Sequence, residues 1–300
     1  MKTFLCEYIH PEARKALEQI SEIVSEWDRL PECDAIINRN LQLTEEVLKK
    51  ASNLKVIAVH GTGLDGVNLS VAEELKIEVF NTPHKNASSV AELNITLMLM
   101  AARKVSMMQK SMKEGKSFGE ASVMSALQGM ELGGKTVAFL GVGEIAKRTI
   151  KICQSGFSMH CIGWSRSLTE EKAAELGIEY ADSIIAAVKN ADFVVLGMAL
   201  CEETRGIIGR QEISCMKQGA VLVNSARGAL IDEKALYQAL TEGHLRAAAL
   251  DVVTEEPVTA KHPLYELSNV VLTPHVGANT EEALFRVGMA CVDGIRERLM

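Results

Sequence analysis

Short apolar runs alternate with amphipathic segments along almost the whole chain, a pattern typical of βαβ units. In the first hundred residues, four apolar runs predict strands and three segments with helical spacing predict helices. The predicted strands are Thr3–Cys6, Ala35–Ile37, Val56–Val59 and Glu78–Phe80, and the predicted helices are Pro11–Ile20, Thr44–Lys50 and Ser70–Leu75. This order predicts a parallel sheet with helices on both faces.

A second series of strands follows a long segment without any strand signal. That segment, from about Ala87 to Glu114, has helical spacing, and we expect one long helix there. The second series predicts strands at Thr136–Leu140, Met159–Gly163, Phe193–Met198, Ala220–Asn224, Ala247–Val252 and Val270–Leu272, and Thr280 to Met300 is again helical.

The two series predict an α/β protein with two doubly wound parallel-sheet domains. We expect residues 1–100 and 281–300 in the first domain and residues 101–280 in the second. Ligands of such sheets bind beyond the carboxyl ends of the strands, so we expect a cleft between the two domains.

Composition and charge narrow the classes of partner. The chain has 300 residues, of which 47% are hydrophobic and 24% charged, a globular composition with enough length for two domains. The net charge of −7 argues against a nucleic-acid partner. Neither a secretory signal nor an apolar segment of membrane-spanning length is evident, so we expect a cytoplasmic protein without a membrane partner.

The seven cysteines form no Cys-x-x-Cys pair, and several of them fall in apolar runs. We therefore expect reduced core residues and no metal site. A catalytic thiol is the alternative, but no motif supports it.

A glycine-rich turn, Gly141-Val-Gly-Glu-Ile-Ala146, follows the first strand of the second series and opens a helix. The first glycine permits a tight turn, the second lets the main chain approach a pyrophosphate, and a small third residue allows close helix packing. The helix N-terminus adds free amides. The residues predicted to bind a dinucleotide here are Gly141, Gly143, Glu144 and Ile145, and a plain strand–helix turn is the alternative.

The next strand ends in Ser165, Arg166 and Ser167, where a dinucleotide fold usually carries an acid for the ribose hydroxyls. An acid would repel the 2′-phosphate of NADP, whereas a guanidinium and two hydroxyls would bind it. We therefore expect NADP(H) to be preferred, with NAD(H) possible. The alternative is a surface turn whose arginine points into solvent.

Three polar residues follow strands of the second series: Arg227, Glu256 and His275. A guanidinium holds a carboxylate with two hydrogen bonds. A histidine exchanges the proton of a carbonyl/alcohol pair near neutral pH, and a carboxylate beside it stabilises the imidazolium. Beside a nicotinamide, this trio predicts a 2-hydroxy/2-keto acid oxidoreductase. The alternatives are a helix-end cation, a solvated loop acid and a loop histidine with a local partner.

These residues lie within longer motifs, by which the chain resembles the D-2-hydroxyacid dehydrogenase family over nearly its whole length. The motifs are Gly61–Asn68, Asn81–Glu92, the glycine turn, Val223–Glu233, Ala249–Pro257 and Thr273–Gly277. The resemblance implies a Rossmann-type cofactor domain, a flavodoxin-like substrate domain and a homodimer built through the cofactor domains.

The resemblance also implies roles for single residues. Arg227 would orient the substrate, His275 would exchange the proton, Glu256 would be its partner, and Asp251 would lie near the nicotinamide carboxamide. The further implied contacts are Thr204 and Ala226 for the cofactor, and Thr62, Gly63 and Asn86, with Arg227 and His275, for the substrate.

The chain departs from the family pattern at a few positions. Asn68 stands in place of Asp, Ser158 in place of Gly, and Ala199 and Cys201 in place of Pro and Thr in a loop that lines the cofactor. None of these belongs to the Arg–Glu–His trio. We also expect no appended regulatory domain.

The resemblance leaves the substrate open. We expect a 2-keto acid reductase of the glyoxylate/hydroxypyruvate type. D-3-phosphoglycerate dehydrogenase is the alternative within the family. Arg39 would then be available for a phosphate or a second acidic group, and His84 and Lys85 would face the same cleft. For Arg39 and Lys85, a solvated surface charge is the alternative. An alternative of another class is a nucleotide-sensing, corepressor-like binding protein.

Overall fold

The computed structural model describes residues 1–116, 119–259 and 261–300, and these form two compact units. Unit 1 comprises Met1–Ser89 and Ala278–Met300, and unit 2 comprises Val90–Gly277. The first division falls after Ser89 rather than after residue 100, because the helix from Ala87 to Ala102 buries much of its length in the core of unit 2.

The chain up to Ala102 contains five strands and four helices, together with a short 3₁₀ helix at Trp27–Glu32. In chain order they are β1 (Lys2–Phe4), α1 (Pro11–Glu18), β2 (Glu22–Val24), β3 (Ala35–Asn38), α2 (Glu45–Lys50), β4 (Val56–Val59), α3 (Leu69–Glu74), β5 (Glu78–Asn81) and α4 (Ala87–Ala102).

The described residues after Ala102 contain seven strands and nine helices, with 3₁₀ helices at Glu202–Thr204 and Gly228–Leu230. They are α5 (Val105–Lys113), α6 (Ala121–Ala126), β6 (Thr136–Leu140), α7 (Glu144–Phe157), β7 (His160–Trp164), α8 (Glu170–Glu175), β8 (Glu179–Tyr180), α9 (Ile184–Val188), β9 (Phe193–Leu196), α10 (Arg210–Cys215), β10 (Val221–Asn224), α11 (Glu233–Thr241), β11 (Ala247–Leu250), α12 (Pro263–Glu266), β12 (Val270–Leu272) and α13 (Glu281–Leu299).

Unit 1 is built on a five-stranded parallel sheet in the order β2-β1-β3-β4-β5, which is the flavodoxin-like order. Ile36 and Ile57 pack on one face of the sheet, and Ile37 and Ala58 pack on the other. The second face is covered by α1 and by α13, which buries Cys291, Val292 and Ile295 there. Burial on both faces explains why Ala35–Ile37 of β3 and the whole of β4 are continuous apolar runs.

Unit 2 is built on a seven-stranded parallel sheet in the order β8-β7-β6-β9-β10-β11-β12. The chain starts at β6, proceeds outward to β8, and then returns to β9 on the other side of β6. The strand order therefore reverses between β6 and β9. In sheets of this kind, ligands bind at such a switch point, beyond the carboxyl ends of the strands.

The structure corrects the prediction of one helix from Ala87 to Glu114. Two helices, α4 and α5, occupy this segment, and the chain turns between them at Arg103 and Lys104. Lys104 has a left-handed backbone (φ 53°), which no α-helix contains. Strands β2 and β8 were not predicted, because they are short edge strands with polar, partly exposed residues.

Four of the cysteines (Cys33, Cys153, Cys161 and Cys291) are buried, Cys6 is exposed, and Cys201 and Cys215 are intermediate. Burial raises the pKa of Cys153 to about 12 and that of Cys161 to about 11. Within the described ranges, no group of three or more His, Cys, Asp or Glu residues could hold a metal ion. In the same part of the chain, no helix combines the length and apolar character needed to cross a membrane.

Candidate active site

The glycine turn begins where β6 ends, at the switch point of the unit 2 sheet. Gly141 has a φ of +98°, and a Cβ on it would lie 2.5 Å from the carbonyl carbon of Gly197 and 2.6 Å from the amide nitrogen of Met198. Gly197 directly follows β9. Glycine is therefore required at Gly141 both by the backbone conformation and by the close approach of two main chains.

Gly143 differs from Gly141, because nothing in the fold of the described residues requires glycine there. Its φ is −85°, and a Cβ on it would have no atom within 4 Å. The residue is the N-cap of α7 without a side-chain cap, so the first-turn amides of this 14-residue helix lie beside open space. A pyrophosphate needs such open space and such amides, and the turn therefore fits a dinucleotide.

The turn after β7 lies beside the glycine turn, since the Gly141 amide donates to the Trp164 carbonyl at 2.7 Å. Ser165 is half-buried, whereas Arg166 and Ser167 are exposed. The pKa of the Glu203 carboxyl is lowered, first by a hydrogen bond from Cys201 and to a smaller extent by the positive charge of Arg166. The carboxylate of Glu203, in the loop after β9, therefore lies close enough to the Arg166 guanidinium to interact with its charge.

The loop after β9 contains the departures at Ala199 and Cys201 and is held by Thr204. The Thr204 hydroxyl accepts from the Cys201 amide and donates to the Ala199 carbonyl, both at 2.8 Å. The side chain is 4% exposed. Thr204, predicted as a cofactor contact, therefore uses its hydroxyl within the loop and shapes the loop backbone.

Arg227 stands after β10 in a segment fixed by a buried asparagine. The side chain of Asn224 accepts from the Ala226 amide at 2.9 Å and donates to the Arg227 carbonyl at 2.8 Å. The half-buried Arg227 directs Nη1 to the Ala226 carbonyl at 2.7 Å. Asn224 was missed as a functional residue, although a polar residue at the end of a buried strand is a signal for one.

The loops after β10 and β11 touch main chain to main chain. A Cβ on Gly228 would lie 2.0 Å from the Val253 carbonyl carbon and 2.4 Å from the Thr254 amide nitrogen. No side chain fits at this position. The residue after Arg227 thus places the loop that carries Glu256 against the loop that carries the guanidinium.

Glu256 and His275 form a direct pair. Oε2 of Glu256 lies 2.7 Å from Nδ1 of His275, and Oε1 accepts from the Val253 amide at 3.3 Å. Both side chains are 34% exposed. With Glu256 ionised, Nδ1 carries the proton in this bond, and Nε2 is then the ring nitrogen available to a reacting group.

The backbone of His275 is held by Asp251, which is 1% exposed. The Asp251 carboxylate accepts from the Thr273 hydroxyl at 2.5 Å, from the Val276 amide at 2.9 Å and from the Gly277 amide at 2.8 Å. Its carbonyl accepts from the His275 amide at 2.8 Å. These bonds explain how His275 keeps its left-handed φ of 55°. In the structure, Asp251 organises the histidine loop.

The predicted substrate residues of unit 1 lie in two loops that are tied together. The Thr62 hydroxyl lies 3.4 Å from Oδ1 of Asn86, and Asn81 donates to the Thr62 carbonyl at 2.6 Å. Thr62 is exposed and Asn86 is buried, and Gly63 lies between them in exposure. Arg39 uses Nη1 on the Tyr8 carbonyl at 3.3 Å and Nη2 on Oδ1 of Asn279 at 3.0 Å.

The doubly wound sheet carries an open glycine turn at its switch point. A histidine–carboxylate pair lies at the same edge of the sheet. Together these features define a dinucleotide-binding oxidoreductase. Residues 95–277 match the family model of the D-isomer specific 2-hydroxyacid dehydrogenase, NAD binding domain. The chain belongs to this family. The predicted family and fold class are both confirmed.

Individual relatives extend the similarity beyond this domain. The chain is 39% identical over 308 residues to D-3-phosphoglycerate dehydrogenase from Methanocaldococcus jannaschii, covering 100% of this chain and 57% of that protein. It is 41% identical over 273 residues to hydroxypyruvate reductase from Thermotoga maritima, covering 90% and 86%. A solved structure from Thermus thermophilus has a TM-score of 0.88 at 30% identity, covering 100% of this chain and 97% of that one.

Proposed function

We propose that the protein is a reductase of 2-keto acids of the glyoxylate/hydroxypyruvate type, producing D-2-hydroxy acids with a nicotinamide cofactor. The observation that carries this proposal is the 2.7 Å pair of His275 and Glu256, in a unit that also presents Arg227 and an open glycine turn beyond strand ends. The similarity to a hydroxypyruvate reductase over most of both chains supports the substrate class.

In the proposed mechanism, Arg227 binds the carboxylate of the keto acid and so fixes the position of the neighbouring carbonyl. A bound reduced nicotinamide supplies the hydride. His275 donates a proton from Nε2 to the carbonyl oxygen, which completes the alcohol. Glu256 stabilises the imidazolium before this transfer and orients the ring through Nδ1. Thr62, Gly63 and Asn86 remain predictions as further substrate contacts.

The residues that would hold the cofactor in this proposal lie in unit 2. The α7 amides after Gly143 would bind the pyrophosphate, and Ser165, Arg166 and Ser167 would bind a 2′-phosphate. We therefore infer a preference for NADPH over NADH, supported by a guanidinium and two hydroxyls, rather than a carboxylate, in the turn after β7.

Two substitutions with opposite expected effects on NADPH affinity test the cofactor preference. Arg166→Ala is expected to weaken NADPH binding roughly tenfold and to leave NADH binding almost unchanged. Glu203→Gln removes a negative charge near Arg166 and is expected to strengthen NADPH binding. Arg210→Ala, which removes an exposed arginine bonded to Gln238, is the control. Equal affinities for both cofactors in the wild type and in Arg166→Ala would contradict the preference.

A substrate panel tests the activity itself. Glyoxylate, hydroxypyruvate, phosphohydroxypyruvate and an aryl pyruvate are each supplied with NADPH and with NADH, and cofactor oxidation is followed by absorbance. We expect glyoxylate or hydroxypyruvate to give the highest kcat/KM. The highest value with phosphohydroxypyruvate would favour D-3-phosphoglycerate dehydrogenase. Cofactor binding without oxidation by any keto acid would favour the nucleotide-sensing alternative, which the relatives described above do not support.

We further propose a homodimer built through unit 2 and a cytoplasmic location. Met112 on α5 and Met124 on α6 are 67% and 55% exposed, and such large apolar side chains favour contact with another surface. Light scattering after gel filtration tests the dimer, and a mass of a single chain at micromolar concentration would contradict it.

A further inference from the structure

A buried asparagine on α4 is hydrogen-bonded at both ends of its side-chain amide. Asn94 is 1% exposed. Its Oδ1 accepts from the Ser225 hydroxyl at 2.6 Å, and its Nδ2 donates to the Thr149 hydroxyl at 3.3 Å. Burying an amide without hydrogen-bond partners is costly, so each of the two bonds contributes to the stability of this arrangement.

The orientation of this amide follows from the hydroxyl of Thr149. Thr149 is fully buried on α7 and uses its hydroxyl hydrogen on the Ile145 carbonyl at 2.9 Å. The same oxygen can then only accept from Asn94, which places NH₂ toward Thr149 and Oδ1 toward Ser225. The Ser225 hydroxyl must therefore donate, and its direction is fixed as well.

Ser225 stands in the short segment that leads from β10 to Arg227. Asn224 binds the main chain of Ala226 and Arg227. The hydroxyl of Ser225 fixes the same segment through a different bond, to a residue on α4. The side-chain amides of two buried asparagines, Asn224 and Asn94, thus hold this segment in place.

We propose that Asn94 is a positioning residue for Arg227, acting through the hydroxyl of Ser225. This inference rests on the proposed function, in which Arg227 binds the substrate carboxylate. Loss of the Asn94–Ser225 bond lets the segment before Arg227 move, and the guanidinium then binds carboxylates less well. Because the substrate carboxylate is bound in the ground state and the transition state alike, the effect falls on KM rather than on kcat.

The two bonds of the same amide provide a matched pair of variants. Ser225→Ala removes the bond between Asn94 and Ser225, in the segment before Arg227. Thr149→Val removes the bond between Asn94 and Thr149 on α7, and Asn94→Leu removes both bonds. Each variant is measured for KM and kcat with the best keto acid, for the dissociation constant of oxamate with NADPH bound, and for melting temperature. Oxamate is an unreactive carboxylate, so its binding is read without turnover.

Ser225→Ala and Asn94→Leu are expected to raise KM and the oxamate dissociation constant about fivefold, with kcat changed less than about twofold. The variant that combines Ser225→Ala with Asn94→Leu is expected to resemble each single variant, since both changes remove the same Ser225–Asn94 bond. Ser225→Thr keeps a hydroxyl and should restore most of the affinity. Thr149→Val is expected to lower the melting temperature while KM stays unchanged.

Unchanged KM in Ser225→Ala and Asn94→Leu, or an equal increase in Thr149→Val, would overturn the inference and leave a structural role only. Crystal structures of the three variants separate this outcome from a failure of the proposed function. Arg227 should be displaced or disordered in Ser225→Ala and Asn94→Leu and unmoved in Thr149→Val. An unmoved Arg227 in all three refutes the positioning role, whether or not any keto acid is reduced.

Discussion

Both units place a histidine after a strand of a parallel sheet, and burial decides what each can do. His60 follows β4 in unit 1 and is 4% exposed, and its Nε2 has no hydrogen-bond partner among the described residues. Burial, aided by the charge of Arg39, lowers the pKa of His60 to about 4. His275 follows β12 in unit 2, is 34% exposed, and has Glu256 at 2.7 Å.

The difference arises from what covers each histidine within its own unit. In unit 1, α13 lies over His60, and a Cβ on Gly288 would be 3.8 Å from Nε2. A neutral, enclosed imidazole cannot exchange protons with a ligand. In unit 2, the carboxylate of Glu256 supports one ring nitrogen of His275 and leaves the other ring nitrogen available. The same sheet architecture thus provides one structural histidine and one candidate for catalysis.

The largest expected effect is the loss of activity on substitution of His275. His275→Gln is expected to lower kcat/KM by roughly 10² to 10⁴-fold, because general acid–base catalysis contributes this much. His60→Gln should lower kcat/KM less than about tenfold. Steady-state kinetics with the best keto acid checks both variants. Equal losses in the two variants would remove the distinction between the two histidines.

The second effect is a loss of unit 1 stability in acid. The pKa of His60 is near 4 in the folded protein and near 6.5 when unfolded, so the unfolded chain binds more protons between these values. Stability is therefore complete above about pH 6.5 and falls as the pH drops toward 4, by up to about 3 kcal/mol in total.

This pH dependence is measured by urea unfolding at several pH values in a Trp164→Phe background. The remaining tryptophan, Trp27, packs on Phe4 in unit 1 and reports that unit. His60→Gln should flatten the dependence between pH 6.5 and 4, whereas His160→Gln, an exposed histidine of unit 2, should not. An unchanged slope in His60→Gln would show that other groups dominate.

The third effect concerns the open glycine of unit 2. Gly143→Ala is expected to weaken NADPH binding about tenfold without lowering the melting temperature, because a methyl group there meets no protein atom but occupies the space for the phosphates. Fluorescence titration measures the affinity. Gly156→Ala, within α7 and equally free of contacts, is the control and should leave NADPH binding unchanged.

The smallest expected effect is a change in the stability of unit 2 alone. Ser158 ends α7 with a left-handed φ of 52°, a conformation that costs an L-residue about 1 kcal/mol and glycine almost nothing. Ser158→Gly should stabilise unit 2 by about that amount, seen through Trp164 in a Trp27→Phe background. Ser155→Gly, inside the same helix, should instead destabilise it, by about half that amount. Identical changes in both variants would contradict this interpretation.

The sequence predicted what depends on local pattern. The buried strands β4, β6 and β12 have the predicted bounds, because burial on both faces makes them continuous apolar runs. The bend at Lys104 could not be predicted, since no glycine or proline marks it. Arg227, Glu256 and His275 could be identified because they follow strand ends, and their roles stay proposals.

The supporting residues were harder to predict because their partners are distant in the chain. Asn94 bonds to Ser225 across 131 positions, and Asp251 bonds to Gly277 across 26. A single sequence does not reveal which polar side chains meet after folding. For the same reason, the bonds of Arg39 to Tyr8 and Asn279 could not be predicted from the sequence.

The main-chain contact of Gly228 with Val253 and Thr254 has a consequence for loop grafting. A chimera that imports the segment around Arg227 from a relative must import the segment up to Glu256 as well, because the two surfaces fit without an intervening side chain. Under the proposed function, Thr62, an exposed predicted substrate contact outside these two loops, is a simpler position at which to vary substrate range. The two loops are therefore best treated as one cassette.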